Sequence, residues 1–585
     1  MTQIPPNKRK VKQFFILFFL IILAFFIFLI VMIGNIISNK NIPNLYIEKK
    51  TRAIRGSIIT ADGFHVAKSE KLYKAVINKR YLDNDKKDLF VSLFSIYSNI
   101  PKEKILKKLN TKRSIVVLSY NIPQKEAKYL KQLSYELRRY KVFKSLKNPK
   151  TGIYTIQGLS ILESGESRIY PYKDTLTPVI GYTHKIEDNG YTLVKGVKGI
   201  EKRWEEELKA RANGKISGQR DVNGYILLNK ESFVQEPLNG YDIKLTINLS
   251  LQIRIEKALD NLKKKMDAYE IYAVVIDSKS GKILSLASSN RFLPKAIRRK
   301  DYKSLNISAT EFVFEPGSVI KPITFSILLK HNLVNPFELV NGHNGKYKIK
   351  RKVITDEHRF KWLSAEDVIV HSSNVGIAQL AQRLNGIDFY NGFLDFQLTK
   401  NSTDDLIYER KGKIPSAKRL NNEIYKATSS YGYGLEANLL QLVRAYSVFN
   451  NGGKMFKPYL IDSLIDENEI IPIEREEAIS VLKPATALRM KKILIKTVTK
   501  GTGKKAITPG LVIGGKTGTA HIVEKGKYVH KYNTSFIGFA NDKTHKYTIG
   551  VVVRQPKTNH FASQTAVPVF KKIVDIMINE GYLTP

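Results

Sequence analysis

An apolar run near the start of the chain constrains its fold more than any other feature. Residues 14–37, FFILFFLIILAFFIFLIVMIGNII, carry no charge, and a helix of about 20 apolar residues can cross a bilayer. The run is longer than the apolar part of a signal peptide and lacks a small-x-small cleavage site, so we expect an uncleaved membrane anchor. The basic residues between positions 8 and 12 predict a short cytoplasmic tail, residues 1–13, with the bulk of the protein outside the membrane.

The composition excludes several classes of protein. The 585 residues include 96 Lys and Arg against 53 Asp and Glu, a net charge of +43, which would suit a binder of nucleic acid or of an anionic surface. The lysines are scattered without a dense tract or an RNA-binding signature, so we favour a general lysine enrichment and expect no nucleic acid. The absence of cysteine excludes disulfides, cysteine-ligated zinc and thiol catalysis.

The rest of the chain predicts two α+β domains. Residues 38–248 mix short β-like runs, such as YKAVIN, with Lys/Leu-rich amphipathic stretches, which is typical of an extended α+β module. A strand at Ile243–Ile247 and a helix near Leu251–Leu259 mark the start of a second domain, residues 249–585. Its pattern predicts a hairpin over 271–286, three later strands in LVIGGKTGT, NTSFIGFA and YTIGVVV, and a closing helix. Helices around antiparallel strands give an α+β sandwich.

One serine–lysine pair in this second domain is a candidate for catalysis. Ser318 and Lys321 stand three apart in FEPGSVIKP, where the apolar run after the Glu-Pro-Gly turn predicts a buried helix beginning at the serine. Residues at i and i+3 share a helix face. A buried lysine lowers its pKa readily and can act as the base for a neighbouring nucleophile. Alone, such a pair is weak, because short motifs recur by chance in a chain rich in both residues.

Two further motifs follow the pair in a meaningful order. Ser372-Ser373-Asn374 opens a helical run, and Lys516-Thr517-Gly518-Thr519 ends the apolar strand LVIGG. S-x-x-K, S-x-N and K-T-G in this order are the signature of β-lactamases and penicillin-binding proteins. Decoys of each motif exist, beginning at Ser480, Ser288 and Lys279, but they occur in the wrong order.

Each residue type in the ordered set suits acyl transfer. Ser318 would be the nucleophile and Lys321 the base that takes its proton. Ser372 and Asn374 could relay a proton and hold a substrate amide. Lys516 and Thr517 would bind a substrate carboxylate. Gly518 permits close approach of the substrate backbone, and the strand edge at Gly518-Thr519, with the Ser318 N–H, could form an oxyanion hole worth about 3 kcal/mol per donor.

Three other features of the second domain suggest functions that we consider weaker. Residues 510–517 fit the P-loop pattern G-x-x-x-x-G-K-T, but a P-loop needs a strand before the first glycine and a helix after the threonine, whereas β-like sequence follows here. His358 could be taken for a base or a metal ligand, and we favour a structural role. Gly501-Thr502-Gly503 resembles a helix stop and a turn.

Taken together, these motifs resemble a class B penicillin-binding protein, a peptidoglycan D,D-transpeptidase. Other family-like motifs run from the anchor to the C-terminal part. They are RGSI (55–58), SRIYP (167–171), GVKGIE (196–201), RDVNG (220–224), LTINLSLQ (245–252), Tyr433-Gly434, NNGG (450–453) and the GTG at 501–503. The EPGSVIKP form and the SFIG of NTSFIGFA look more like the septal branch, similar to FtsI, than the elongation branch. The chain departs from the family at Thr60-Ala61 and Asn248, where Asp-Arg and Asp are usual.

The resemblance implies a function. Ser318 would attack the penultimate D-Ala of a peptidoglycan stem peptide, β-lactam antibiotics would acylate the same serine, and no metal or organic cofactor is needed. It also implies a lipid-linked precursor, a membrane glycosyltransferase and division proteins as partners, at the division septum of the bacterial cytoplasmic (inner) membrane with a periplasmic catalytic domain. Three alternatives stay open: a hydrolase such as a β-lactamase or carboxypeptidase, a β-lactam sensor or non-catalytic scaffold, and a membrane-linked binder of anionic polymers.

Overall fold

A long N-terminal helix accounts for the apolar run. The computed structural model describes residues 8–37, 46–147, 154–188, 190–219, 226–467, 469–524 and 526–585. Its first helix, Lys8–Ile37, has 30 residues with exposed side chains throughout, and at 1.5 Å per residue it measures about 45 Å. By length and composition it could cross a membrane, as the sequence predicts. The RDVNG motif at 220–224 lies outside the described residues.

The chain divides into two units, each assembled from separate segments. The first comprises residues 1–53, 74–162 and 212–238, and the second comprises 54–73, 163–211 and 239–585. Such a discontinuous arrangement arises because strands far apart in sequence pair within one sheet. Position 248, where the sequence pattern changes, therefore marks a change in local structure and lies within the second unit.

In the first unit, amphipathic helices cover short strands. Helix Gln124–Arg139 buries Ala127, Leu130 and Leu137, which recur at helical spacing. It packs on helix Lys87–Ser98, which buries Phe90 and Phe94. The other elements of this unit are Lys102–Leu109, Ile115–Pro123, Leu146–Lys147, Tyr154–Thr155 and a three-stranded sheet of Tyr46–Thr51, Gly214–Gln219 and Phe233–Gln235, with 3₁₀ turns at Lys79–Tyr81 and Asn84–Lys86.

A mixed sheet lies beside a buried ion-pair network in the second unit. The order of its strands is Glu469–Pro472, Ile461–Asp466, Asp242–Leu245, Ile58–Ile59, His65–Asn78, Leu159–Ile169, Tyr191–Lys198 and Tyr182–Asp188. Of the strands His65–Asn78 and Leu159–Ile169, residues 65–73 and 163–169 belong to this unit. Glu201, which is fully buried, binds Arg55 Nε at 2.9 Å and Arg168 Nε at 2.6 Å. Arg55 also binds Glu205 at 2.9 Å. The RGSI, SRIYP and GVKGIE motifs therefore meet in one network.

A five-stranded antiparallel sheet forms the centre of the C-terminal part. Its order is Ile283–Ser288, Glu270–Asp277, Lys546–Arg554, Lys527–Asn541 and Val512–Glu524. Along Glu270–Asp277, residues 272, 274 and 276 belong to one apolar core and residues 271, 273 and 275 to another, because successive side chains point to opposite faces. The predicted hairpin and the three later strands are confirmed.

Helices cover both faces of this sheet. Leu249–Met266 and Ala566–Asn579 pack on one face, and Leu439–Asn450 and Pro484–Thr499 pack on the other. Asn248, where the family usually has Asp, still caps Leu249–Met266, since its side chain accepts from Leu251 N at 3.1 Å. The predicted α+β sandwich with a closing helix is confirmed.

Shorter elements complete the second unit. The helices are Thr177–Ile180, Gly199–Arg203, Glu205–Leu208, Ser308–Glu311, Lys321–Lys330, Ala365–Val370, Asn374–Ala381, Gly386–Asp395, Ala417–Leu420 and Glu423–Ser430, with 3₁₀ turns at Arg299–Leu305, Gly317–Ile320, His343–Gly345 and Lys504–Ala506. The strand pairs are Leu339–Asn341 with Trp362–Ser364, Lys346–Ile349 with Lys352–Thr355, and Lys454–Met455 with Ile479–Ser480.

Candidate active site

Ser318 lies in a tight turn that the surrounding backbone holds in place. The 3₁₀ turn Gly317–Ile320 leads directly into helix Lys321–Lys330. Gly317 has φ +58° and donates to Gly432 O at 3.2 Å. A side chain at Gly432 would clash, because its Cβ would lie 2.1 Å from Gly317 O. Tyr446 Oη donates to Val319 O at 2.6 Å, so the turn is fixed from two directions.

The predicted helix start at Ser318 is therefore wrong by one turn, since the α-helix begins at Lys321. Ser318 and Lys321 still lie on the same side of the chain despite this difference. A 3₁₀ turn has three residues per turn, so side chains at i and i+3 eclipse each other. Ser318 and Lys321 thus lie on the same side of the turn.

Lys321 is fully buried and bonds to the second motif. Its Nζ donates to Ser372 O and, at 3.2 Å, to Ser372 Oγ. Burial lowers the pKa of Lys321 to about 7, against the smaller opposing effects of Asp356 and Glu357. Within the described part of the chain, the ammonium has no hydrogen bond to Ser318. Its position is instead fixed on Ser372.

Ser372 connects the two lysines. It adopts φ +62°, a conformation that costs a non-glycine residue about 1–3 kcal/mol and is concentrated at functional sites. Its Oγ accepts from Lys516 Nζ at 2.8 Å as well as from Lys321 Nζ at 3.2 Å. One hydroxyl therefore lies within hydrogen-bonding distance of both amines.

Asp356, a residue that the sequence analysis did not select, anchors the Ser372-Ser373-Asn374 motif. Its carboxylate accepts from Ser373 Oγ at 2.5 Å and from the backbone N–H of Asn374 at 2.5 Å. Asn374 Nδ2 donates to Thr355 O at 3.0 Å. These bonds hold the start of helix Asn374–Ala381, with Ser373 as its cap. Asp356 was missed because no sequence spacing links it to the motif.

The edge strand Val512–Glu524 supplies the third motif. Lys516 is fully buried, and burial together with the charge of Lys321 lowers its pKa well below the usual value. Thr517 and Thr519 line the cleft, and Thr517 Oγ1 lies 2.8 Å from Thr502 Oγ1. The GTG motif, interpreted from the sequence as a helix stop, therefore also places a hydroxyl at the site.

Gly518 has a different neighbour from the one predicted. A Cβ there would lie 2.5 Å from Ser535 Oγ, 2.9 Å from Val319 Cγ1 and 3.0 Å from Pro316 O. Successive strand residues alternate between faces, so Gly518 faces away from Thr517 and Thr519. Its lack of a side chain lets the edge strand approach the Ser318 turn.

These groups line one cleft of about 400 Å³. Ser318, Ser372, Asn374, Thr517 and Thr519 all contribute to its wall. Other lining residues are His358, Tyr433, Thr502, His521, Tyr532, His560 and Phe561. The described residues contain no group of three or more His, Cys, Asp or Glu arranged to hold a metal ion, so we assign no metal ligand.

The decoy motifs lie elsewhere. Lys279-Ser280-Gly281 occupies the turn between two strands of the central sheet, and Ser480 is exposed at the end of a short strand. Residues 512–517 of the P-loop pattern lie within strand Val512–Glu524, with no helix after them. A P-loop requires a helix N-terminus at that place, so the phosphate-binding reading does not fit.

Comparison with known families identifies this arrangement. The family model described as penicillin binding protein transpeptidase domain matches residues 271–575, more than half of the chain. The chain belongs to this family. The model described as penicillin-binding protein dimerisation domain matches residues 50–245. The expected resemblance to class B penicillin-binding proteins of the FtsI type is confirmed.

Named relatives of this penicillin-binding protein come from several bacteria. It is 28% identical over 447 residues to the peptidoglycan D,D-transpeptidase FtsI of Buchnera aphidicola, covering 75% of this chain and 74% of the relative. It is 26% identical over 537 residues to stage V sporulation protein D of Bacillus subtilis, covering 89% and 77%. A probable peptidoglycan D,D-transpeptidase PenA of Neisseria flavescens is 29% identical over 392 residues, covering 66% and 94%.

Solved structures share the fold of this penicillin-binding protein. The crystal structure of Penicillin Binding Protein 2X from Streptococcus thermophilus superposes with a TM-score of 0.76 at 20% identity, covering 92% of this chain and 81% of that one. A peptidoglycan synthetase from Bifidobacterium adolescentis gives 0.68 at 20% identity, covering 92% and 98%.

Proposed function

We propose that this protein is a peptidoglycan D,D-transpeptidase that acts through a serine acyl-enzyme on Ser318. One observation carries the proposal. Ser318 and Lys321 share a single turn, and Lys321 and Lys516 both reach the hydroxyl of Ser372, beside a cleft in the family's transpeptidase domain.

Acylation begins with the transfer of one proton. Lys321 in its neutral form takes the proton of Ser318 Oγ as the oxygen attacks the carbonyl of the penultimate D-Ala. A pKa of about 7 leaves much of the amine neutral near pH 7. The terminal D-Ala leaves as an amine, and the proton returns to it through Lys321 and the hydroxyl of Ser372.

Lys516 and Thr517 bind the carboxylate of the donor peptide. Burial and the charge of Lys321 disfavour a positive charge on Lys516. A substrate carboxylate beside Lys516 restores that charge, because an opposite charge favours the ionised form. Asn374, at the other wall of the cleft, holds the peptide amide.

The edge strand Val512–Glu524 orients the substrate backbone. It is the terminal strand of its sheet, so its outer edge can pair with an extended peptide. The backbone N–H groups of Ser318 and Thr519 then form the oxyanion hole, with each donor contributing about 3 kcal/mol.

The second half-reaction forms the cross-link. An amine of a neighbouring stem peptide attacks the acyl-enzyme and gives its proton to Lys321, which returns it to Ser318. A β-lactam, which presents a carboxylate and a reactive carbonyl, acylates the same serine. Hydrolysis by water would instead make the protein a carboxypeptidase or a β-lactamase.

The proposal extends to domains and location. We assign residues 1–13 to a cytoplasmic tail, 14–37 to the anchor, 38–248 to a pedestal and 249–585 to the transpeptidase domain, outside the cytoplasmic membrane. The FtsI names of relatives support a role at the division septum, with a membrane glycosyltransferase and division proteins as partners. The shape of cells depleted of this protein distinguishes the septal branch from the elongation branch. Filaments indicate a role in division, and rounded cells indicate a role in elongation.

The full-length protein in detergent should release D-Ala and form cross-linked dimers from lipid-linked precursor polymerised by a separate glycosyltransferase. Chromatography of the digested product measures both. Release of D-Ala with tetrapeptide monomers alone would indicate a carboxypeptidase. If neither product forms under conditions where a known transpeptidase forms dimers, the result would indicate a sensor or scaffold.

A further inference from the structure

A second polar cleft, of about 430 Å³, lies in the same unit and shares no lining residue with the transpeptidase cleft. Its lining brings together the middle of helix Leu439–Asn450, at Arg444, and two short strands, Lys454–Met455 and Ile479–Ser480. The lining includes four cations, Lys400, Lys411, Arg444 and Lys457, and two carboxylates, Glu476 and Glu477.

Arg444 lies buried at the base of this cleft. The side chain is 3% exposed. It donates to Asn401 O at 2.8 Å and to Gln397 O at 2.6 Å, while its Nε has no partner. Among the described residues, no carboxylate lies within salt-bridge distance of it. Burial lowers its pKa to about 10, against the smaller opposing effects of Glu409 and Glu476, so a further anion would stabilise the guanidinium.

The rim adds further positive charge. Lys457 binds Glu476 at 2.8 Å and also Asp404, so this one cation is held by two carboxylates. Lys400 and Lys411 are exposed, and neither has an ion pair in the part of the chain that the structure describes. Counting Arg444 and Asp404, the described residues of the cleft and its rim carry four cations against the three carboxylates of Glu476, Glu477 and Asp404.

We propose that this cleft binds a compact anion carrying a phosphate or carboxylate group, with Arg444 at its base and Lys400 and Lys411 at its rim. An arginine presents a planar fork of N–H donors that matches both groups. Two of its five N–H groups donate to backbone carbonyls, and its buried Nε has no hydrogen-bond partner among the described residues. Depth and charge together distinguish this cleft from a surface lysine cluster.

Calorimetric titration of the full-length protein in detergent with inorganic pyrophosphate or with citrate tests the proposal, using sodium chloride at equal ionic strength as the blank. We expect saturable binding of at least one anion. The paired change Lys400→Gln and Lys411→Gln should weaken it about fivefold, since two rim cations are lost, and Arg444→Gln should remove it. A preference for pyrophosphate or citrate separates phosphate from carboxylate ligands.

Two control variants make the result decisive. Lys418→Gln removes an exposed lysine outside the cleft and should leave the affinity unchanged. Lys516→Gln should also leave it unchanged, because Lys516 belongs to the other cleft. Binding that is lost in Lys516→Gln, or unaltered by the paired lysine change, would overturn the proposal, as would no saturable binding of either anion. The paired lysine variant keeps the test valid if Arg444→Gln does not fold.

Discussion

Replacing Lys321 with methionine is expected to slow acylation by benzylpenicillin about 10³-fold, within the range that a positioned base contributes. Methionine occupies a similar volume in this fully buried position and leaves no unpaired charge. The loss should therefore fall on the rate rather than on folding. Fluorescent penicillin, quantified on gels over time, measures the rate constant.

The pH dependence identifies the base in the same experiment. Lys321 accepts a proton only when it is neutral, so the acylation rate should rise with pH and level off above about 7, where its pKa lies. Below that value the rate should fall about tenfold per pH unit. The methionine variant should lack this transition.

Lys483→Met is the matched control, because Lys483 stands in the decoy Ser480-Val481-Leu482-Lys483. It should be acylated at the normal rate. An unchanged rate in Lys321→Met, or a wild-type profile that falls as pH rises through 7, would contradict the assignment of Lys321 as the base.

Replacing Glu201 with leucine should destabilise the protein by about 3–5 kcal/mol, because it leaves the buried guanidinium of Arg168 without its carboxylate and removes one of the two carboxylates that bind Arg55. Glu201 is fully buried and bonds to both Arg55 and Arg168. The midpoint of thermal unfolding, followed by intrinsic fluorescence in detergent, should fall by several degrees.

Glu206→Leu is the control for this effect. The side chain of Glu206 is 76% exposed and pairs with exposed Lys209, so its loss should barely change the unfolding midpoint. Replacing Arg55 and Arg168 with methionine in the Glu201→Leu background should recover stability, since a buried ion network can be exchanged for apolar residues. Equal unfolding midpoints for Glu201→Leu and Glu206→Leu would contradict a supporting role of the network.

The sequence was sufficient to predict the central sheet, and the structure brings Ser318, Ser372 and Lys516 together while the decoys at Lys279 and Ser480 lie elsewhere. Short apolar runs predict its strands, because strands such as Glu270–Asp277 and Lys546–Arg554 are buried on both faces. The order of Ser318, Ser372 and Lys516 carries information that the single motifs lack. The sequence could not predict the features of the site that depend on contacts between separate segments of the chain. Asp356 bonds across a loop to Ser373, and Gly518 approaches Pro316 from another element.

A sequence pattern based on α-helices also could not predict the local backbone geometry at Ser318. Gly317 and the backbone of Gly432 impose a 3₁₀ turn before the helix. The buried network of Arg55, Arg168 and Glu201 likewise joins the motif at 55–58 to two motifs more than 100 residues further along the chain. Resemblance can indicate that such motifs matter, but only the folded chain shows what they contact.

The site at which benzylpenicillin attaches tests the central claim most directly. Full-length protein, its Ser318→Ala variant and its Ser480→Ala variant would be treated with the antibiotic, digested and mapped by mass spectrometry. We expect a single penicilloyl adduct on Ser318 in the wild-type protein and in Ser480→Ala, and none in Ser318→Ala. An adduct that persists in Ser318→Ala, or a wild-type protein that folds but forms no adduct, would contradict the assignment of Ser318 as the nucleophile.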